Sequence, residues 1–434
     1  MTATPDLAHC RSQKVAACCF SRPGCVNLGA LRMEHSYPPV LVLLVCATAA
    51  PAIAHFTRRL GLSVVVIELL LGVAIGPQFL GLATATTGAL PAFATLGLAF
   101  LFFIAGLEID LPAIRGKPLR VAFAGWLCGL ALALAIAFGM RAAGLTDAWR
   151  VVTIALMTTA LGVLVPILRD GDAIETPFGR NVLASGVMGE LGPILAISLV
   201  VSRRFSADVQ AGLTAAFVII VLLLAWAMTR GARVPALITF LRRGLDQSGQ
   251  TPVRVALVLV VGLAVLAEGF GLDLALGALA AGMMVGFASR GGSRVHDLHA
   301  KIDAVGFGFL IPLFFLSSGM KLDLKSVVTS ADGLALLAVF FVALVVVRLP
   351  LVILLQRALG GRGALAVALL SATTLSLIVV ITQVAVEAGV MPASQASPMV
   401  VAGMLTVILF PAQGFRLAGI LRVTRPDADD REGL

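Results

Sequence analysis

Long apolar runs, separated by short polar segments, dominate the pattern of residues along the chain. Glycine, proline and charged residues divide these runs into thirteen stretches, most of them close to the roughly 20 mainly apolar residues that a membrane-crossing helix needs. The stretches cover residues 38–56, 62–77, 92–109, 119–140, 150–167, 178–201, 210–229, 253–269, 273–289, 304–320, 333–356, 363–388 and 397–417. The pattern therefore predicts an all-α polytopic membrane protein with about 13 transmembrane helices.

Segments outside these stretches predict the remaining organisation. The first 32 residues lack an apolar run of spanning length, so we expect residues 1–37 to form a disordered N-terminal extension, with Met33 as an alternative start. Residues 233–247 are short and amphipathic, which is typical of a helix along the membrane interface. We expect this helix and the seventh span to form a linker over 202–250, and residues 422–434 to form a short cytoplasmic tail.

Three pairs of similar segments recur at a nearly constant offset. The pairs are FLFFIAGLEIDL (100–111) with LFFLSSGMKLDL (313–324), LGVAIG (71–76) with AGMMVG (281–286), and ALMTTAL (155–161) with ALLSATT (368–374). An odd number of spans separates the members of each pair, so residues 38–201 and 251–421 are predicted to be two inverted six-helix repeats. Inverted repeats are a signature of secondary transporters, whose substrate site lies mid-membrane between the repeats.

Composition and charge support a membrane protein and indicate its orientation. The chain is 59% hydrophobic and 13% charged, whereas soluble domains are about 45–50% apolar and about 25% charged. Its net charge of +9 comes from basic residues scattered through short loops without interleaved aromatics, so we expect no nucleic-acid binding. Loops and flanking turns on one side hold 21 Lys and Arg and those on the other hold 6, which predicts a cytoplasmic C-terminus. Arginine outnumbers lysine by 27 to 5, as in GC-rich bacteria, so we expect the bacterial cell membrane.

Charged residues deep in the predicted spans are few. The candidates are Glu68, Glu190, Glu268 and Arg348. An ionisable group deep in a membrane costs a few kcal/mol or more, so each is a functional candidate by default. Glu268 lies at a span end and fits the interface, whereas Glu68 either borders an ion path or makes a helix contact. Glu190 and Arg348 are either functional groups or a structural ion pair that ties two helices.

Hydroxyl-rich interruptions occur at matched places in the two halves. They are MTTALG (157–162) and SATTLS (371–376). Such interruptions indicate discontinuous helices, whose unwound carbonyls coordinate cations and whose ends set the local field. The alternative is ordinary Ser and Thr hydrogen bonding to the preceding helical turn.

Several stretches carry a resemblance to a known family. They are ELLLGVAIGPQFLGL (68–82), LGLAFLFFIAGLEIDL (96–111), TPFGRNVLASGVMGELG (176–192), LALGALAAGMMVG (274–286), FFLSSGMKLDL (314–324) and SATTLSLIVVIT (371–382). From about residue 38 to 420 the chain resembles the monovalent cation:proton antiporters, in the branch that contains the Kef-type and Nap-type exchangers. The resemblance implies a core domain with crossed half-helices that moves against a dimerisation domain, and hence a homodimer.

The resemblance also implies roles for individual residues. Glu190 occupies the position of the ion-binding carboxylate in the sixth span, and Arg348 matches the basic residue of the eleventh span. The family's helix breaks match the hydroxyl residues Thr158, Thr159, Ser371, Thr373 and Thr374, which we expect to help bind the cation. No cofactor is expected, and no metal beyond the transported cation.

Two positions depart from the family pattern. Glu190 stands at the carboxylate position, and Gly189 precedes it, where the family has Asp, Asn or Gln. Members with two adjacent acids tend to be electrogenic and those with one tend to be electroneutral. One acid together with an arginine, which does not release its proton, therefore predicts electroneutral exchange of one Na⁺ or K⁺ for one H⁺.

Two other classes of function compete with this interpretation. A Kef-like potassium efflux system or a channel would need its regulatory domain on a separate subunit, because the chain ends 17 residues after the last predicted span. An intramembrane enzyme is disfavoured, since the spans contain no HExxH, P-loop, GxSxG or GxGD motif. We therefore expect a transporter and not an enzyme.

Overall fold

The structure is a computed structural model. It describes residues 37–57, 63–86, 88–109, 116–170, 173–201, 212–221, 251–289 and 295–419, together with the single residues 114, 209 and 223. The N-terminal extension up to residue 36, the interfacial helix at 233–247 and the tail at 422–434 lie outside the described residues and stay predictions.

Every regular element in the described ranges is helical. The helices are α1 (Tyr37–Phe56), α2 (Val64–Ile75), α3 (Leu90–Glu108), α4 (Lys117–Ala142), α5 (Trp149–Leu156), α6 (Leu161–Asp170), α7 (Pro177–Val201), α8 (Gly212–Val221), α9 (Thr251–Gly269), α10 (Leu274–Ser289), α11 (Val295–Val305), a π-helical turn (Gly306–Leu310), α12 (Ile311–Met320), α13 (Leu324–Thr329), α14 (Ala331–Val346), α15 (Leu349–Ser371), α16 (Ser376–Glu387) and α17 (Ala393–Leu417). The predicted all-α class is therefore confirmed.

Six helical stretches are long and apolar enough to cross a membrane. They are Pro39–Phe56, Leu90–Glu108, Lys117–Ala142, Leu298–Met320, Ala331–Glu387 and Ala393–Leu417. Helices α2, α8 and α10 are apolar but shorter. The count of about 13 spans and the inverted repeats stay predictions.

The helices pack as two groups. The first helix group consists of α1, α2, α3, α9, α10 and α12, and the second consists of α4, α5, α6, α7, α14, α15, α16 and α17. The groups meet where α3 packs on α6 and α10 packs on α7. At one rim of this interface, Lys321 pairs with Glu387 at 3.0 Å and the Ser318 hydroxyl donates to Gln383 at 3.2 Å.

The two predicted interruptions lie against each other in the second helix group. One separates α5 from α6, and the other separates α15 from α16. The Ala160 amide donates to the Thr373 carbonyl at 2.8 Å, and the Thr158 and Thr374 hydroxyls share a hydrogen bond of 2.6 Å. Four helix ends therefore converge at this point, which we call the crossing.

The eleventh predicted span is not continuous. Helix α14 ends at Val346 and α15 begins at Leu349, which leaves Arg348 in the gap between them. Pro350 accounts for the gap, because proline lacks an amide donor and its ring clashes with the preceding helical turn. The predicted loop at 357–362 coincides with a break inside α15, where Gly360 has non-helical angles (φ 71°, ψ 166°) and divides α15 into two helices. The two parts fold back on each other, because the Nε of Arg348 at one end lies 3.0 Å from the Ser371 carbonyl at the other.

Candidate functional site

Glu190 lies in the middle of α7 and faces the start of α6. Its side chain is 4% exposed, and its Oε2 accepts a hydrogen bond from the Leu161 amide at 3.1 Å. Leu161 is the first residue of α6, and helix N-termini carry unpaired amides and partial positive charge that stabilise an anion. The broken span thus provides an electrostatic partner for the buried carboxylate.

Gly189 provides the space for this arrangement. The Thr159 amide donates to the Gly189 carbonyl at 3.0 Å. A Cβ atom at Gly189 would collide with the side chain of Thr159. The glycine that departs from the family pattern therefore lets the break between α5 and α6 approach α7 closely.

Arg348 binds the carboxyl ends of two helices. Its Nε donates to the Ser371 carbonyl at the end of α15 (3.0 Å), and its Nη2 donates to the Thr158 carbonyl just after α5 (2.6 Å). Helix C-termini expose unpaired carbonyls and partial negative charge, which a buried guanidinium neutralises. In the described part of the chain, Arg348 forms no ion pair with Glu190, so carbonyls hold the guanidinium.

The hydroxyl residues of the crossing hold the two breaks together. The Thr159 hydroxyl donates to the Ser371 carbonyl at 2.7 Å, and the Thr158 hydroxyl also bonds the Ala155 carbonyl at 2.7 Å. Thr373 supplies the carbonyl that accepts from Ala160. These side chains are buried, so each polar contact at the crossing forms away from water.

Thr406 of α17 is a site residue that the sequence analysis missed. Its hydroxyl accepts from the Thr374 amide at 3.1 Å and lies 2.7 Å from the Gly403 carbonyl, to which it donates. It thereby supports the break between α15 and α16. A lone threonine within an otherwise apolar span was the available signal.

The structure brings most of the candidates together and places one elsewhere. Glu190, Arg348 and the five hydroxyl residues all lie at or beside the crossing. Glu68 is buried at 3% exposure in α2, whose main packing partners are α1 and α12 of the first helix group.

The crossing contains only hard oxygen ligands close to one buried acid. Carboxylate, carbonyl and hydroxyl oxygens suit hard cations and not soft metals. Among the described residues, no group of three or more His, Cys, Asp or Glu side chains is placed to hold a metal ion. The arrangement fits transient binding of a monovalent cation or a proton.

Several known proteins are similar to this chain in sequence. YjbQ of Bacillus subtilis (strain 168), named as a candidate Na(+)/H(+) antiporter, is 26% identical over 399 residues, which cover 87% of this chain and 63% of that protein. A Na(+)/H(+) antiporter of Enterococcus hirae is 27% identical over 307 residues, covering 65% and 73%. The glutathione-regulated potassium-efflux system protein KefC of Klebsiella pneumoniae (strain 342) is 29% identical over 332 residues, covering 73% and 50%. The chain thus spans less than two thirds of YjbQ and half of KefC.

A solved structure shows the same fold. The sodium proton antiporter MjNhaP1 from Methanocaldococcus jannaschii matches with a TM-score of 0.59 and 14% identity, over 89% of this chain and 98% of that one. The family model described as "Sodium/hydrogen exchanger, transmembrane" matches residues 41–420, which confirms the resemblance. This multi-pass membrane protein therefore belongs to the sodium/hydrogen exchanger family.

Proposed function

We propose that the protein exchanges a monovalent cation, Na⁺ or K⁺, for H⁺ across the bacterial cell membrane. The observation that carries the proposal is the buried carboxylate of Glu190, set against the N-terminus of α6 and beside a crossing of carbonyl and hydroxyl oxygens. A deeply buried acid in a membrane protein is a functional group by default. Membership of an exchanger family supports the same chemistry.

Coupling arises from competition for one carboxylate. Glu190 binds either a proton, which neutralises it, or a cation, which pairs with its charge. A charged carboxylate with no bound cation is costly in a desolvated site. Glu190 therefore holds a proton or a cation whenever the site changes the side of the membrane that it faces. Thr158, Thr159, Ser371, Thr373 and Thr374 are proposed to supply further oxygens to the cation, and Glu68 is proposed as an acid along its path.

Alternating access requires Glu190 to face the two sides in turn. We propose that the second helix group moves against the first, and that residues 38–201 and 251–421 are the two inverted repeats behind this motion. The interface between the groups, where α10 packs on the Glu190-bearing α7, supports this proposal. A homodimer held by the first helix group and a cytoplasmic C-terminus complete the proposed arrangement.

The proposed exchange is electroneutral. Arg348 stays charged throughout, because guanidinium does not deprotonate in proteins, and its bonds to two helix ends occupy it independently of Glu190. One acid then carries either one cation or one proton, so the net charge moved per cycle is zero.

Potassium efflux with a separate regulatory subunit is the second candidate. The similarity to KefC over 73% of this chain favours it. It differs from the first proposal in its ion and regulation and shares the same carboxylate site.

Purified protein in liposomes with a trapped pH dye tests both candidates. We expect Na⁺, K⁺ or Li⁺, added separately, to drive proton flux against the proton gradient, at a rate independent of an imposed membrane potential. Flux driven by the potential alone would refute electroneutrality. Cation leakage without proton movement would identify a channel instead.

A further inference from the structure

A small cavity lies within the second helix group, beside the crossing. Its volume is about 10 Å³, it is partly open, and it is lined by residues of α4, α7, the start of the first part of α15 and the Ser371 end of its second part. Small residues of α4 and Gly189 of α7 form part of its wall, and Leu351 forms another. The remaining lining groups are polar, and they are Trp126, Ser185, Arg348 and Ser371.

Three of these polar groups have no hydrogen-bond partner among the described residues. They are Trp126 Nε1, Ser185 Oγ and Ser371 Oγ, each of them a buried atom. The whole residues Ser185 and Ser371 are 7% and 1% exposed. Leaving a buried donor or acceptor unpaired is costly, and native proteins rarely leave several in one place. Three such atoms around one cavity indicate a bound partner.

Arg348 contributes a fourth polar group to the cavity. Its Nε and Nη2 bind the carbonyls of the two helix ends, whereas its Nη1 has only the Met157 sulfur at 3.8 Å. A guanidinium has five N–H donors, and a thioether is a weak acceptor. The Nη1 group of the guanidinium therefore has N–H donors available for a hydrogen bond into the cavity.

The donor set and the volume decide the chemistry of the occupant. Trp126 Nε1 and Arg348 only donate, so the occupant must accept at least two hydrogen bonds, which excludes a cation. The serine hydroxyls accept or donate, which matches the two protons that a water molecule offers. A cavity of about 10 Å³ has room for about one water.

We propose that this cavity is a binding site for one structural water, and that Trp126 positions Arg348 through that water. The positioning role rests on the proposed function, and the water site itself does not. The water completes the hydrogen bonds of the guanidinium and so holds Arg348 against the two helix ends.

The cavity lies against a different face of α7 from the one that carries Glu190. Ser185, Gly189 and Gly192 share one face of α7, because residues three and four apart align on a helix. The Trp126 ring packs directly on Gly192, where a Cβ atom would collide with it. Glu190 leaves the helix roughly 100° around the axis from Gly189. Trp126 therefore influences the site without touching the transported ion.

A structure at a resolution that shows ordered water tests the site directly. We expect a density peak within hydrogen-bond distance of Trp126 Nε1 and of at least one serine hydroxyl. The peak disappears in Trp126→Phe, which keeps an aromatic side chain but removes the indole donor and some volume, and remains in the matched variant Trp149→Phe, which loses the same atoms elsewhere. Trp149 begins α5, outside the cavity lining. An empty cavity, or an anomalous peak there after bromide exchange, overturns the water assignment.

Thermal unfolding of variants tests the coupling to Arg348. Trp126→Phe should lower the ratio of folded to unfolded protein at least about two- to tenfold, because one neutral buried hydrogen bond is lost and the smaller ring also loses packing contacts. In an Arg348→Gln background the same substitution should have a clearly smaller effect, because the water has lost one of its partners. Equal effects in the two backgrounds contradict the positioning role. The density peak and the unfolding cycle do not require transport, so an inactive protein in the flux assay refutes the proposed function and leaves both tests in place.

Discussion

The two helix groups are held together by different contacts. In the first, backbones touch: a Cβ atom at Gly106 would collide with the Leu279 carbonyl, and one at Gly282 with the Phe103 carbonyl. These contacts join α3 to α10, and similar glycine contacts join α2 to α12 through Gly72. In the second group, helix ends meet through charged and hydroxyl side chains.

From this difference we expect the first helix group to act as a rigid support and the second to carry the transport site. Small residues that bring backbones together are the usual device for stable helix packing in membranes, where water supplies no driving force between helices. Close backbone contacts of this kind fix the two helices in one relative position. Polar contacts at broken helix ends are satisfied by several partners of similar strength, so an ion or a proton is able to change them. We expect substitutions in the first group to affect stability and those at the crossing to affect transport.

The largest effect is expected for Glu190→Gln. The glutamine oxygen accepts from the Leu161 amide as the carboxylate does, so the fold is kept, but the side chain binds neither a proton nor a cation by charge. Cation-driven proton flux in liposomes should fall to the level of protein-free vesicles. Glu175→Gln, outside the crossing, is the control, and full activity of Glu190→Gln would disprove the assignment of the site.

Arg348→Gln is expected to have the next largest effect. The substitution removes the charge that binds the Thr158 and Ser371 carbonyls, and hydrogen bonds to a charged group are worth about 1.5–3 kcal/mol each. The melting temperature and the transport rate should both drop. Arg348→Lys should recover only part of the stability, since one ammonium does not match the guanidinium fork. Wild-type stability of Arg348→Gln would mean that the helix ends need no cation.

Gly282→Val is expected to destabilise the first helix group without changing the groups at the crossing. Its side chain would meet the Phe103 carbonyl, and overpacking of this kind costs about 1–3 kcal/mol. The matched variant is Gly262→Val in α9, where a Cβ atom meets nothing within 4 Å. We expect a lower melting temperature for the first variant only, with transport per folded molecule unchanged. A selective loss of transport would show that α10 takes part in the cycle.

Asp273, just before α10, is expected to give the smallest effect, a change in pH dependence. Burial raises the pKa of Asp273 above its ordinary 3.8, the Ala275 amide opposes this, and the carboxylates of Glu268 and Glu387 add to it. The folded protein therefore binds this proton more tightly than the unfolded chain does. The resulting stability is complete below pH 3.8 and is lost as pH rises through the raised pKa.

Asp273→Asn should remove this pH dependence and keep the cap on the Ala275 amide, which the aspartate now provides at 2.9 Å. The melting temperature of the variant should fall less than that of the wild type between acid and neutral pH. Asp332→Asn, an exposed acid in the first turn of α14, is the control. Parallel curves for wild type and Asp273→Asn would contradict the expectation.

The sequence predicted the local features of the site better than its long-range contacts. Hydroxyl-rich interruptions located both breaks, because such residues disfavour continuous helix in a local, readable way. For Arg348 the sequence left open a functional role and a structural ion pair with Glu190, and in the structure its guanidinium binds helix-end carbonyls. Arg348 reaches these carbonyls because Pro350 interrupts the span beside it, and the apolar pattern of the span did not predict this interruption. Trp126 and Thr406 were missed because their partners lie on helices far away in the chain.

The close approach at Gly189 also restricts how the exchanger is able to change. Thr159 is tied to the Gly189 carbonyl through its amide and to the Ser371 carbonyl through its hydroxyl, so it has little room to withdraw from a new side chain. A single substitution of Gly189 by aspartate would therefore damage the break before it added a second acid. A second acid at position 189 would first require a smaller residue at position 159.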